Sequence, residues 1–373
     1  MKTKVLLIKA DEEPMKAVEN PMANQIYKNP RLMIEERTLG TLDPDKIRIK
    51  MLYVGVCGSD IHLLKSNSKT GYICSSVPVE IPEEGRTIGH EGVGLVLDVG
   101  SNVKEIEKGM YVTLESILVC NNCDVCKRGD FNQCRNAKLI GLEVDGVMGN
   151  VVDANSNLAH DVTGYIKSED DLIAMACVEP AGVAYDACEN ARIKAGDVVV
   201  IFGGGPIGIY TAMLSKLVFG ASQVHVVEPV EFRRNLLREW TEYVYDSLYS
   251  LKKNLKEANV IIETSGDLNN VNKVFNMIDA NGKVVLLARS GEPLFIDAVD
   301  HMITNNISIV GSRGHLCGAF DRILRLHASN RIKLDSIVTS VVNGLEDLKK
   351  VLESKDIVKD NCKVVVSLKD IKN

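Results

Sequence analysis

From about residue 192 onward, the chain alternates continuous apolar runs with longer segments of mixed polarity. The apolar runs are Val198–Phe202, Val224–Val227, Val260–Glu263, Val284–Ala288 and Ile307–Val310. Continuous apolar strands separated by helices are typical of a parallel sheet that helices cover on both faces. The pattern therefore predicts an α/β region built on a doubly wound parallel sheet.

The preceding half has a different pattern, in which short alternating stretches are separated by turns rich in Gly, Pro and Asn. These stretches include Lys46–Val54, Gly92–Val99 and Gly109–Leu114. They predict an irregular, mostly β domain. Two polar segments, Glu13–Pro30 and Ser66–Glu84, are each interpreted as either a plain surface loop or a lid over a substrate. The last fifty residues return to mixed character and are expected to fold back on the first domain.

Composition narrows the class of protein. The chain has 373 residues, which is enough for two domains, and its 45% hydrophobic and 25% charged residues are ordinary for a globular protein. The net charge of −6, with dispersed Lys and Arg, gives no electrostatic footprint for a nucleic acid. No apolar run is long enough for a membrane span or a signal peptide. We therefore expect a cytoplasmic protein whose ten cysteines are reduced thiols or metal ligands.

Four cysteines lie within fifteen residues in the spacing C-x2-C-x2-C-x7-C. They are Cys120, Cys123, Cys126 and Cys134. Four thiolates at such spacing can close a tetrahedral zinc shell with zinc–sulfur distances of about 2.3 Å. A shell of four sulfurs has no open position, so the cluster predicts a structural zinc site that takes no part in chemistry.

The first apolar run of the α/β region leads directly into a glycine turn and then a helix. Gly203, Gly205 and Gly208 fit the pattern G-x-G-x-x-G, and Pro206 and Ile207 complete the turn. In this pattern the first glycine permits the tight turn, the second lets backbone approach a pyrophosphate, and the third lets the helix pack on the strand. The segment therefore predicts a dinucleotide site at the start of the helix.

A dinucleotide site of this kind has an acidic residue at the end of the second strand, and this chain has Glu228 there. Glu228, at the end of the next apolar run, can accept hydrogen bonds from both ribose hydroxyls and would repel a 2′-phosphate. NAD is therefore predicted over NADP. Arg233 and Arg234 leave an alternative open, since either could serve a phosphate or simply lie on an exposed helix face.

A second, incomplete set of zinc ligands lies elsewhere in the chain. Cys57 opens the stretch Cys-Gly-Ser-Asp-Ile-His, His90 and Glu91 lie in Gly-His-Glu-x-x-Gly, and Glu179 lies in Val-Glu-Pro. Three protein ligands with a free fourth position are the arrangement of a catalytic zinc site. These residues together predict an enzyme.

With both zinc motifs and the glycine turn, the chain resembles the zinc-dependent medium-chain dehydrogenase/reductase superfamily over nearly its full length. The stretch Gly89–Val103 fits the zinc signature of that family, and the four-cysteine lobe has its usual spacing. The resemblance implies a GroES-like catalytic domain at 1–188 and 320–373 and a Rossmann domain at 189–319. It also implies two zinc ions per chain, a nicotinamide cofactor, and assembly as a homodimer or homotetramer.

The resemblance further implies roles for the candidate zinc ligands. Cys57 and His90 would be direct ligands of the catalytic zinc. Glu179, where alcohol dehydrogenases of the family carry cysteine, looks like the glutamate of the polyol and sugar branch, with Cys177 as its rival for third ligand. Glu91 would lie beside the metal or exchange onto it.

The remaining implied roles concern protons and substrate. Ser59 and His62 match the positions of the family's proton relay, and Glu115 matches a glutamate that faces substrate hydroxyls in polyol dehydrogenases. The expected reaction is hydride transfer from a secondary alcohol to NAD, with a polyol, cyclitol, sugar, diol or amino alcohol as substrate. The alternatives are an NADP-dependent reductase of aldehydes or sugars, and a zinc-braced nucleotide-binding protein without activity.

Overall fold

The structure, a computed structural model, describes residues 1–16, 18–354 and 356–371. These residues divide into two compact units, Met1–Glu179 with Leu334–Asn373, and Pro180–Lys333. The domain boundaries expected from the sequence, at 188/189 and 319/320, stay a prediction. None of the helices in the described residues is both long and apolar enough to cross a membrane.

The strands and helices are numbered in chain order. The strands are β1 (Lys2–Glu12), β2 (Tyr27–Thr38), β3 (Lys46–Gly55), β4 (Arg86–Thr87), β5 (Glu91–Val99), β6 (Tyr111–Leu114), β7 (Ile117–Leu118), β8 (Lys138–Leu139), β9 (Val151–Asn155), β10 (Ala159–Asp161), β11 (Val198–Phe202), β12 (Gln223–Val227), β13 (Val244–Tyr245), β14 (Ala258–Glu263), β15 (Ile278–Leu286), β16 (Ser308–Gly311), β17 (Val338–Asn343) and β18 (Lys363–Ser367). The α-helices are α1 (Gly58–Leu64), α2 (Asp124–Lys127), α3 (Glu169–Met175), α4 (Val178–Ala191), α5 (Pro206–Leu217), α6 (Glu231–Leu237), α7 (Leu248–Asn254), α8 (Asn269–Val274), α9 (Val299–Thr304), α10 (Ala319–Ala328), α11 (Gly344–Glu353) and α12 (Ile357–Asp360). Short 3-10 helices lie at Ala23–Gln25, Phe131–Gln133, Ser156–Leu158, Thr163–Tyr165, Phe275–Met277 and Leu334–Ile337.

The first unit is built around β3, whose alternate side chains are buried as expected for a strand with one face on a core. The main sheet runs in the order β10-β6-β5-β3-β18-β17, with β9 pairing the first half of β3. A smaller sheet has the order β2-β1-β4. The C-terminal strands β17 and β18 thus belong to the sheet of the first unit, and β18 lies directly against β3.

The second unit contains a parallel sheet in the order β13-β12-β11-β14-β15-β16. Numbered from β11 as the first strand, this is the 3-2-1-4-5-6 order of a doubly wound dinucleotide fold. The central strand is apolar throughout and buried except at its first residue, because helices cover both of its faces. The predicted fold class, α/β with a mostly β domain and a doubly wound parallel sheet, is confirmed.

Some element boundaries differ from the sequence prediction. The predicted strand Gly109–Leu114 begins only at Tyr111, because Gly109 lies in a turn with φ of 94°. Strand β15 begins at Ile278, before the predicted Val284, since pairing with β14 recruits polar residues that the apolar pattern did not include. The predicted loop Glu13–Pro30 is partly ordered strand, because β2 begins at Tyr27 and pairs with β1; its Ala17 lies outside the described residues. In Ser66–Glu84 the pairing is limited to isolated bridges.

Candidate active site

Three candidate zinc ligands of the first unit come together at the junction of α1 and β5. Cys57 directly precedes α1, His90 directly precedes β5, and Glu91 is the first residue of that strand. One ligand atom from each residue lies within 4.8 Å of the other two. The arrangement provides one sulfur, one imidazole and one carboxylate, which is a donor set that suits zinc.

Asp60 joins the two segments that carry these ligands, and sequence reasoning did not assign it a role. It is fully buried; its Oδ2 accepts a hydrogen bond from the Cys57 backbone N–H at 2.9 Å, and its Oδ1 accepts one from the Gly89 N–H at 3.3 Å. The available signal was its position as the third residue of a short helix, where an acidic side chain reaches back to the cap.

The local charge favours a bound cation. Burial by itself lowers the pKa of His90, but the adjacent Cys57 sulfur, followed by the carboxylates of Asp60 and Glu179, raises that pKa well above its usual range. Nδ1 of His90 is buried and has no hydrogen-bond partner among the described residues. A buried ring nitrogen without a partner, surrounded by anionic groups, fits a site for a metal cation.

Glu179 lies near this group, in the first turn of α4, but is not one of the three closely spaced ligands. It is buried, and its Oε1 accepts a hydrogen bond from the Ser116 hydroxyl at 2.7 Å. Its charge still reaches His90 and Glu91, whose pKa values it raises. Cys177 is also fully buried, and its charge acts on a different group, the ammonium of Lys363. The assignment of Glu179 as third ligand stays a prediction.

Lys363 is the principal residue of this site that the sequence did not reveal. It comes from β18, is only 1% exposed, and its Nζ forms an ion pair with Oε2 of Glu91 and donates to the Val56 carbonyl at 2.9 Å. Burial opposes its charge, but Glu91, Cys57 and Cys177 raise the pKa of Lys363 above its usual value. The ammonium is therefore charged, and it holds one oxygen of Glu91. Nothing near Lys363 in the sequence signals this contact.

Backbone packing makes room for that ion pair. A Cβ atom on Gly55 would lie 2.5 Å from Oε2 of Glu91 and 2.9 Å from Cε of Lys363. Contacts of that length are not tolerated, so any side chain at Gly55 would displace the pair. The site thus depends on a glycine that no motif includes.

Ser59 and His62 lie three residues apart on α1, and therefore on one face of the helix. The hydroxyl oxygen of Ser59 is buried without a hydrogen-bond partner among the described residues. The His62 side chain is exposed, yet enough protein surrounds it that desolvation, and then the charge of Lys65, lower its pKa. A proton relay through the two residues is compatible with this geometry and stays a prediction.

The Glu115 carboxylate contacts the His160 imidazole and none of the three clustered zinc ligands among the described contacts. Its Oε1 lies 3.1 Å from Nε2 of His160, and it lines a cavity of about 270 Å³ together with Leu118, Ile140 and Gly146. Cys57, His90 and Glu91 do not line that cavity. The substrate-facing role of Glu115 stays a prediction.

The four-cysteine lobe has its thiols gathered into one cluster. The ligand sulfurs of Cys120, Cys123, Cys126 and Cys134 all lie within 4.8 Å of one another. Backbone N–H groups of Asn122 and Cys123, and then the amide of Asn136, lower the pKa of Cys120 to about 6. Burial, together with the neighbouring sulfurs, raises the pKa of Cys126 to about 12. Four cysteine sulfurs gathered this closely form the donor set that a zinc ion binds as thiolates, so the lobe fits a metal ion.

In the second unit the glycine turn lies between β11 and α5, as predicted. Gly203 has φ of 98°, and a Cβ atom on Gly208 would lie 1.9 Å from the Gly203 carbonyl oxygen. Gly205 caps α5 and Pro206 begins it, while the position of a Cβ on Gly205 is open, its nearest neighbour being Nη1 of Arg233 at 3.9 Å. The turn is therefore closed on the protein side and open where a pyrophosphate would approach the helix N-terminus.

Glu228 and the two neighbouring arginines are also close to this turn. Glu228 is buried, its Oε2 accepts from the Gly204 N–H at 2.6 Å, and its Oε1 accepts from the Val230 N–H at 2.7 Å. Each oxygen keeps further lone-pair capacity, so ribose hydroxyls remain possible partners. Arg234 donates to the carbonyls of Glu228 and Pro229 at 2.9 and 2.6 Å, and Nη1 of Arg233 lies 3.9 Å from the position of a Cβ on Gly205.

Comparison with known families agrees with this arrangement. The family described as alcohol dehydrogenase GroES-like domain matches residues 43–164, and the family described as zinc-binding dehydrogenase matches residues 206–329. A solved structure of a candidate alcohol dehydrogenase from Thermotoga maritima has a TM-score of 0.87 and 27% sequence identity, and the match covers 98% of this chain and all of the other.

Curated relatives extend the similarity to nearly the whole chain. A scyllo-inosose 3-dehydrogenase of Thermotoga maritima is 30% identical, with 91% of each chain covered. An L-threonine 3-dehydrogenase of Pyrococcus furiosus is 30% identical over 83% of this chain and 88% of its own. The chain therefore belongs to the zinc-dependent medium-chain dehydrogenase/reductase superfamily and is an alcohol or polyol dehydrogenase, with a GroES-like domain and a Rossmann domain.

Proposed function

We propose that the protein oxidises a secondary alcohol to a ketone with NAD, using a zinc site formed by Cys57, His90 and Glu179, with Glu91 beside it. The observation that carries this proposal is the grouping of one ligand atom each from Cys57, His90 and Glu91 within 4.8 Å, together with a buried His90 nitrogen that has no hydrogen-bond partner among the described residues. A zinc ion held there would supply Lewis acidity, which lowers the pKa of a bound alcohol.

The chain's own residues then have separable tasks. Asp60 accepts hydrogen bonds from the backbone of Cys57 and of Gly89, and so fixes Cys57 relative to the segment that carries His90. Lys363 restrains one oxygen of Glu91 by an ion pair. In this proposal the Ser59 hydroxyl accepts the alcohol proton and passes it towards His62, and the lowered pKa of His62 supports the relay because it favours a neutral imidazole that can accept the proton. The glycine turn and Glu228 would hold and orient the dinucleotide, which would supply a hydride acceptor for the alcohol.

Glu228→Ser should shift the cofactor preference from NAD towards NADP. Removing the carboxylate removes its repulsion of a 2′-phosphate and its hydrogen bonds to ribose, and Arg233 beside the turn can then attract the phosphate. The measurement is the ratio of kcat/KM for NAD and NADP. Glu231→Ser is a control, since it changes a nearby carboxylate on α6 without touching the Gly204 N–H. An unchanged ratio in Glu228→Ser would show that the carboxylate does not contact the ribose.

Freshly purified protein should contain two zinc ions per chain with different lability. The four-sulfur cluster has a closed donor set that should resist chelation, while the mixed site has fewer soft ligands and an open position. Elemental analysis before and after dialysis against a mild chelator measures both. One zinc per chain in undialysed protein would contradict the two-site proposal.

The substrate is tested by a panel of secondary alcohols, followed by the absorbance of the NADH formed. The two curated relatives are dehydrogenases named for scyllo-inosose and for L-threonine. The panel should therefore include cyclitols, polyols, sugars, diols and hydroxy amino acids. Turnover only with NADPH and a carbonyl compound would favour the alternative, an NADP-dependent reductase of aldehydes or sugars.

We further propose a homodimer or homotetramer in the cytoplasm, where ten cysteines remain reduced or metal-bound.

A further inference from the structure

Two arginines leave neighbouring strands at the carboxyl edge of the parallel sheet in the second unit. Arg289 follows β15, and Arg313 follows β16. The two strands are parallel, with Leu286 paired to Gly311, and the Ser312 N–H donates to the Leu286 carbonyl at 2.9 Å. The chain segments therefore leave the sheet side by side, only two or three residues before each arginine.

Neither guanidinium has a partner among the residues that the structure describes. In the part of the chain that the structure describes, neither Arg289 nor Arg313 takes part in an ion pair or a hydrogen bond. Other arginines of the chain are engaged; Arg48, for example, contacts Asp153 at 2.7 Å. Although Arg289 is exposed, it is crowded by protein, so that desolvation and then the positive charge of Arg313 lower its pKa. Two like charges thus follow neighbouring strands, and among the described residues their side-chain donors have no acceptor.

The position of the two arginines along the sheet indicates which end of a bound dinucleotide lies near them. In doubly wound sheets, ligands bind outside the carboxyl ends of the strands. The pyrophosphate is expected at the turn after β11, and the ribose partner Glu228 lies beyond β12, on the other side of β11. At about 4.8 Å per strand, β15 and β16 are roughly 10 and 14 Å from β11. The arginines are therefore on the half of the sheet that serves the other end of the dinucleotide, where the nicotinamide reacts.

We propose that Arg289 and Arg313 form a subsite for an oxyanion carried by the alcohol substrate, either a carboxylate or a phosphate. Guanidinium groups match both anions with paired N–H···O bonds, which a single ammonium cannot do. The inference rests on the proposed dehydrogenase function and narrows it to hydroxy acids and polyol phosphates. In the reaction the carbinol C–H leaves as hydride to NAD, the O–H proton goes to solvent, and the oxyanion is unchanged.

The test compares Arg289→Gln and Arg313→Gln in the full-length, zinc-loaded enzyme. Arg325→Gln is the matched control, because Arg325 lies on α10 of the same unit and pairs with Asp321 on the surface. The substrates are gluconate and sorbitol 6-phosphate as anionic alcohols, and sorbitol and 2,3-butanediol as neutral ones. Gluconate and sorbitol 6-phosphate distinguish a carboxylate from a phosphate.

Each subsite variant should raise KM for the preferred anionic substrate by roughly 10- to 100-fold, the loss expected for a charge-assisted hydrogen bond. Kinetics with neutral alcohols and KM for NAD should change by less than about twofold, as should all constants of Arg325→Gln. Folding should not suffer, because each substitution also removes a repulsion. Equal losses with neutral and anionic alcohols, or a wild-type enzyme that prefers the neutral ones, would overturn the subsite.

A binding measurement separates this inference from the proposed function. With NADH at saturation, so that the glycine turn is occupied, inorganic phosphate or gluconate should raise the Tm of wild type and Arg325→Gln but not of the two subsite variants. If no alcohol is oxidised while this difference persists, the dehydrogenase proposal fails and the anion site stands. If alcohols are oxidised but the anions stabilise all four proteins equally or none of them, the subsite fails and the dehydrogenase stands.

Discussion

Cys57→Ser should abolish turnover, by roughly a thousandfold or more, while leaving the fold and NAD binding intact. Cys57 belongs to the mixed donor group with His90 and Glu91, and the loss of Lewis acidity there costs several kcal/mol of transition-state stabilisation. The surrounding residues belong to a large core, so the scaffold does not depend on that one sulfur. Activity, Tm and NAD affinity of the purified variant give the three readouts.

Cys123→Ser is the matched comparison, because it also removes one thiol from a candidate zinc shell. Cys123 belongs to the cluster with Cys120, Cys126 and Cys134, in a lobe whose regular structure is limited to α2, a short 3-10 helix and the β7–β8 pair. Metal binding and folding are coupled in such a lobe, so soluble yield and Tm should fall first and activity only as a consequence. A stable but inactive Cys123→Ser protein, or a Cys57→Ser protein that unfolds many degrees early, would reverse the assignment of the two sites.

Lys363→Met should be strongly destabilising, by about 3–5 kcal/mol, because it leaves the Glu91 carboxylate buried without its partner. For a domain of this size such a loss corresponds to a fall in Tm of roughly 6–20 °C. Thermal unfolding of the zinc-loaded protein measures it. Activity should also fall, since a released Glu91 is free to take the position that the alcohol needs.

Two further variants show whether the ion pair is the cause. Adding Glu91→Gln to Lys363→Met removes the unpaired charge, so the double variant should regain part of the lost stability, and a double-mutant cycle gives the coupling between the two residues. Lys350→Met is a surface control, since Lys350 pairs with Asp347 on an exposed face of α11. Equal effects of Lys363→Met and Lys350→Met would show that the buried pair contributes nothing to stability.

Features that depend on local spacing could be predicted from the amino-acid sequence. The largely apolar runs of β11, β12 and β14 predicted the parallel sheet, because a strand buried on both faces carries few polar side chains. The four cysteines and the glycine turn were also evident, since each is contained within a few turns of chain whose geometry the residue types fix. The sequence predicted that the third glycine, Gly208, lets the helix pack on the strand, and in the structure a Cβ atom there would lie 1.9 Å from the Gly203 carbonyl oxygen.

The tertiary structure alone decided the contacts between distant segments. Lys363 meets Glu91 across 272 residues, and Ser116 meets Glu179 across 63, so no periodicity along the chain could have paired them. Arg289 and Arg313 lie in ordinary polar stretches and become a pair only because β15 and β16 are neighbours in the sheet. The charge of a side chain follows from its residue type and can be read from the sequence. Whether that charge has a partner depends on which strands are neighbours in the folded sheet.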